Sequence, residues 1–239
     1  MAQFLPRHVQ GGVGTRADAG AIDAGLRSHM ITVYNYLAGG IGLAAVVAYL
    51  VFNMAGPAFI RSGWFMIVAF APLVMLLALA FIGPRLSVAG TQLAYWALVA
   101  MVGAGLSAVF VRYRLGSAAQ VFAITSVAFA ALSLYGYTTK RDLSGFGSFL
   151  IMGLIGLIVA SLLNIWFQSG ALQFAISCIG VLIFAGLTAY DTQRIKDEYL
   201  MVVGDQVAMA KAAIWGALSL FLDFVNLFQM LMSLIGDRE

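Results

Sequence analysis

The chain has 239 residues, 62% of them hydrophobic and 10% charged, and carries a net charge of +3. Soluble domains carry about 25% charged residues, so this composition and a mean hydropathy of +0.97 exclude an ordinary water-soluble fold. The basic balance is not a nucleic-acid signature either, because the 13 Lys and Arg residues fall in short connections and a tail and build no basic face.

Residues 1–29 are polar and Gly/Ala-rich, with no apolar core of a signal peptide, and read as a cytoplasmic N-terminal tail. A membrane domain over 30–239 follows, with apolar runs at 31–52, 64–83, 92–111, 117–137, 146–167, 170–190 and 212–235. Each run is about 20 residues, enough to cross ~30 Å of hydrocarbon as a helix. None alternates as a barrel strand would. A helix satisfies its own backbone hydrogen bonds in lipid, so the fold class is an all-α integral membrane protein with seven transmembrane helices.

Pro72 falls inside the second run, where its missing N–H predicts a kink. Runs five and six are separated only by Gln168, Ser169 and Gly170, which requires a tight hairpin. Ala38/Gly42, Gly103/Ser107 and Gly156/Ala160 have the small-residue spacing that lets helices approach closely. With the N-terminus inside, nine basic residues lie on the inner side (Arg7, Arg16, Arg27, Arg85, Lys140, Arg141, Arg194, Lys196, Lys211) and four outside (Arg61, Arg112, Arg114, Arg238). The positive-inside rule therefore puts the N-terminus in the cytoplasm and the C-terminus outside.

Ionisable groups in lipid cost from about 2.5 kcal/mol upward and mark function by default. Two acidic residues lie in or at the end of the apolar runs, Asp191 and Asp223. Asp223 is about 18 Å along a helix from Lys211, deep in the membrane, and Asn226 shares its face. Asp191 has two readings: a functional carboxyl, or one member of a solvated helix end paired with Arg194. If the two carboxyls meet, they titrate as a unit and, when ionised, attract a hard cation such as Ca²⁺. Arg85, after Gly83-Pro84, is either a topology anchor or an arginine latch for the pair. Cys178, the single cysteine, is a packing residue, and both histidines, His8 and His29, precede the first run, so no resident metal or cofactor is expected.

The stretch Thr188-Ala189-Tyr190-Asp191-Thr192-Gln193-Arg194-Ile195-Lys196 and the stretch Ala217 to Phe228 around Asp223 resemble the last two helices of the Bax inhibitor-1 family, including its bacterial YccA-like branch. The resemblance implies two three-helix layers around a central seventh helix. It also implies a pH-sensitive calcium leak gated by the aspartates that match Asp191 and Asp223, with Tyr190, Arg194 and Asn226 in support. It offers modulation of a membrane-bound protease as an alternative role. The expected partners are the lipid bilayer, Ca²⁺ as the permeant ion and protons, and the expected location is the cell inner membrane.

An enzyme is not expected. The Gly-x-Gly-Asp motif of intramembrane aspartyl proteases is missing before Asp223, where Leu220, Phe221 and Leu222 stand. A rhomboid would need an intramembrane histidine base, and both histidines lie in the tail. A proton-coupled transporter is a minor third reading, with no recognisable substrate site.

Overall fold

The structure, a computed structural model, describes residues 11–237, with side chains from Ile22 onward. Its helices are α1 (Gly11–Ile60), α2 (Phe65–Ile82), α3 (Val88–Leu106), a one-turn α4 (Val109–Arg112), α5 (Leu115–Thr138), α6 (Ser144–Phe167), α7 (Gly170–Val202) and α8 (Gln206–Ile235). A short 3₁₀ turn, Gly83–Arg85, closes α2, and α4 continues the direction of α3 into one span, Val88–Arg112. Seven helical segments are long and apolar enough to cross a membrane, which matches the seven runs read from the sequence.

Several helices run past their apolar stretch. α1 takes in residues 11–29, so the boundary drawn at residue 29 falls within a helix; residues 1–10 lie outside the described residues. α7 continues to Val202, well beyond the apolar run that ends at 190, and α8 begins at Gln206 rather than 212. At about 1.5 Å per residue, the 33 residues of α7 exceed the hydrocarbon thickness by more than three turns. The projecting ends support one another: His29 of α1 packs on Tyr199 of α7, ring centres 5.1 Å apart and tilted by 40°.

α2 runs on as a helix through Pro72, which is buried. A break not read from the sequence lies in α1 at Gly56, whose φ of 74° and ψ of 165° suit glycine, directly before Pro57. The tight α6–α7 hairpin forms as expected. Gln168 takes the left-handed conformation at φ 47° and donates its N–H to Asn164 O, and the Asn164 side chain accepts from Ser169 N at 3.0 Å. Ser169 in turn caps α7 by accepting from Leu172 N.

Packing centres on α8, where 44% of the span window is buried, against 11% for α2. α8 touches α1, α3, α5 and α7; α2 leans on α3, and α6 on α7. Burial at every turn of α8, from Ala213 through Leu220, Phe221 and Phe224 to Met232, accompanies its central place, with Ser219, Asp223 and Asn226 among its apolar residues. Of the glycines in the three small-residue pairs, Gly103 is in backbone contact with a neighbour, 2.8 Å from Ala44 Cα for an added Cβ, while Gly42 and Gly156 face open space. Another close helix approach lies where Gly136 of α5 sits against the Ala189 backbone of α7.

Candidate functional site

That approach of α5 to α7 sets the depth and rotation of the Tyr190–Arg194 turn. Gly147 of α6 packs on the ring of Tyr190. With α5 and α6 holding its back, this turn of α7 presents Asp191 to α8. Asp191 of α7 and Asp223 of α8 stand next to each other where these two helices pack. Both residues are buried, at 8% and 6% exposure. Depth counted along each helix separately places Asp191 shallower than Asp223, and α8 starts at Gln206, before its apolar run.

Arg194 completes the cluster. Its Nη1 is 3.3 Å from Asp191 Oδ1, its Nη2 donates to Ser219 Oγ of α8 at 2.9 Å, and its guanidinium lies 5.9 Å from the Tyr190 ring centre. Its Nε is 3.3 Å from Glu198 Oε1, an ion-pair distance without hydrogen-bond alignment. One oxygen of Asp223, Oδ2, is buried with no hydrogen-bond partner among the described residues. Two carboxyls in contact can share a hydrogen bond only when one carries a proton. A singly protonated pair has one negative charge, set against a guanidinium that also faces the half-exposed Glu198; removing the proton adds a further negative charge in a buried site.

The remaining predicted residues are placed differently. Arg85 is exposed at the end of the 3₁₀ turn and makes no ion pair among the described residues. Its neighbour Pro84 accepts a hydrogen bond from Lys211 Nζ at 3.1 Å. Asn226 turns its amide back to Leu222 O at 2.8 Å and faces a cleft one turn above the pair.

Three groups were not singled out from the sequence. Ser219 ties Arg194 to α8. Gln193 pins the α5–α6 connection, donating to Arg141 O at 2.9 Å and accepting from Leu143 N at 2.8 Å. Thr192 joins Ser133 at 2.9 Å, and Ser133 joins Tyr34 at 2.7 Å, so a line of hydroxyls runs from beside Asp191 to α1. Gln193 and Thr192 stand inside the recognised stretch of α7 and Ser219 inside that of α8, which was the available signal; Tyr34 and Ser133 lie among common membrane-helix hydroxyls and carried none. Outside the spans, the Ser144 hydroxyl and N–H hold the Asp142 carboxyl below its ordinary range.

Two clefts flank the cluster. One of about 400 Å³ is lined by Arg194, Glu198, Ser219, Trp215 and the end of α2 at Gly83 and Pro84. A second, of about 770 Å³, lies toward the opposite end and carries Arg112, Gln173, Asn226, Gln229 and Ser233. Leu76 and Leu222 line both and divide them.

Seven helices long and apolar enough to cross a membrane, with two neighbouring acidic residues buried between the last two, define a polytopic membrane protein. Residues 26–239 match the family described as inhibitor of apoptosis-promoting Bax1. The chain is 47% identical over 237 residues to a protein of Caulobacter vibrioides, with 94% of each chain covered. It is 41% identical over 220 residues to the inner membrane protein YbhL of Escherichia coli, covering 90% of this chain and 94% of that one. To protein RP147 of Rickettsia prowazekii it is 42% identical over 220 residues, covering 91% and 92%. The chain therefore belongs to the Bax inhibitor-1 family of membrane proteins, as the two motifs around Asp191 and Asp223 imply.

Proposed function

We propose that this protein is a pH-sensitive calcium leak of the inner membrane, in which the Asp191–Asp223 pair senses protons and attracts the permeant cation. The burial of two neighbouring carboxyls beside Arg194 carries the reading. Deprotonation adds a negative charge to the site that a cation can neutralise. Ca²⁺ suits it as a hard ion that accepts carboxylate, hydroxyl and water oxygens. The two clefts supply approaches from opposite ends, and the Leu76–Leu222 division is the dry step between them. Inner-membrane location is inferred from the likeness to the inner membrane protein YbhL of Escherichia coli.

Arg194, rather than Arg85, is the arginine that holds the resting pair, because it occupies the place a cation would take beside Asp191. Acidification has two opposed effects: it discharges the pair and weakens cation attraction, and it loosens Arg194 by neutralising its partner. The measurement is Ca²⁺ entry into proteoliposomes over a pH series. Wild type should show protein-dependent flux that varies with pH, and Asp223→Asn should flatten that dependence. An unchanged pH profile in the variant would remove the pair from the mechanism. Absence of flux in vesicles holding folded wild-type protein would favour the family's alternative role, regulation of a membrane protease.

A further inference from the structure

α1 and α5 both pack on the core but touch each other only sparsely, the Tyr34–Ser133 hydrogen bond bridging them. Between them runs a groove of about 560 Å³, lined by Arg27 and Tyr34 of α1 and by Phe129, Ser133 and Tyr137 of α5. At Ile41 it meets a second, smaller groove of about 220 Å³, floored by Phe224 and Phe228 of α8. Together they form a seam along the bundle surface. Its walls are fixed: Phe129 packs edge-on against Phe224, and Tyr34 is hydrogen-bonded to Ser133.

The seam is charged at one end only. Arg27 stands at its mouth, exposed. Lys196 of α7 borders the same mouth, with Nζ 3.1 Å from Tyr137 O and 6.0 Å from the Tyr137 ring centre. Neither cation has a carboxylate partner among the described residues. No charged residue lines the smaller groove. From Arg27 to Ile41, α1 rises about 21 Å, close to half of the ~40–45 Å thickness of a bilayer with its headgroups. The larger groove thus has the length of one lipid in one leaflet, with two free cations at headgroup depth and an apolar bed below.

We propose that the α1–α5 groove is a binding site for an anionic phospholipid, its phosphate between Arg27 and Lys196 and an acyl chain lying against Phe129 toward Ile41. Charge complementarity selects this occupant: a zwitterionic lipid fills the apolar bed equally well but brings its own cation to a mouth that already holds two. Basic pockets between membrane helices recognise acidic headgroups in this way.

The test is native mass spectrometry of the full chain titrated with phosphatidylglycerol and with phosphatidylcholine of identical acyl chains. Wild type should retain phosphatidylglycerol roughly tenfold more tightly. The double variant Arg27→Gln/Lys196→Gln should bring the two lipids level, while Arg61→Gln/Arg112→Gln, at the opposite end, should leave the preference intact. Because the readout is a ratio within one folded sample, a general loss of stability does not imitate it. Ala130→Trp, which fills the groove without touching the cations, should weaken retention of both lipids. Equal affinity of wild type for the two lipids would overturn the proposal, as would a preference that survives the double variant or binding unaffected by Ala130→Trp.

Discussion

Arg194 faces four groups at once: the Asp191 and Glu198 carboxyls on its own helix, a hydroxyl on α8 and the face of Tyr190. A guanidinium with planar, forked donors can reach all of them; a lysine cannot. It also lines the cleft of about 400 Å³, so it stands between the aspartate pair and solvent at that end. Replacing it removes the positive charge beside the pair and opens the approach to Asp191. Arg194→Ala should therefore raise Ca²⁺ leak severalfold in proteoliposomes, while Arg85→Ala, on an exposed turn, should leave it within error of wild type. The reverse result would return the latch to Arg85. The two aspartates were legible as acids within apolar runs, where desolvation makes them conspicuous. Their adjacency was not, because it depends on where α7 and α8 begin and cross. Arg194 was legible only as the partner of Asp191, since spacing on one helix carries no information about Ser219 on another.

At the level of helices, hydropathy reports where lipid is and not where a helix stops. The seven runs were found because each exposes apolar side chains to hydrocarbon. The ends of α1 and α7 were missed because, beyond the membrane, they are held by each other through His29 and Tyr199, and by ordinary polar helix formers. Glycine pairs misled for a related reason: any span rich in small residues has such spacings, and only contact selects among them. Gly136 is where contact selects, since a Cβ there would stand 2.9 Å from both the Cα and carbonyl carbon of Ala189, with no flexible side chain to yield. Gly136→Ala should force α5 from α7 and cost about 1–3 kcal/mol, the usual range for overpacking, read as a lower melting temperature in detergent. Gly156→Ala, which meets nothing within 4 Å, should be neutral in the same assay. Equal melting shifts would mean that the α5–α7 contact is looser than its geometry.

For the whole molecule, the two ends of the bundle differ in charge. Arg27, Arg85, Lys140, Arg141, Arg194, Lys196 and Lys211 gather at one end, and Arg61, Arg112 and Arg114 at the other. The positive-inside rule assigns the first end to the cytoplasm, and the cleft that exposes Arg194 opens at that end. The proton concentration sensed through this cleft would then be the cell's own. Orientation can be read by cysteine labelling in a Cys178→Ser background, since Cys178 is the single cysteine. Met201 is 82% exposed near the end of α7, about 47 Å along the helix from Gly170 and thus clear of the hydrocarbon. Gly63 lies in the α1–α2 turn at the opposite end, with nothing within 4 Å of an added side chain. A membrane-impermeant maleimide added to intact cells should modify Gly63→Cys and reach Met201→Cys only after permeabilisation. Labelling of Met201→Cys in intact cells would invert the molecule, and the carboxyl pair would then answer to the pH outside.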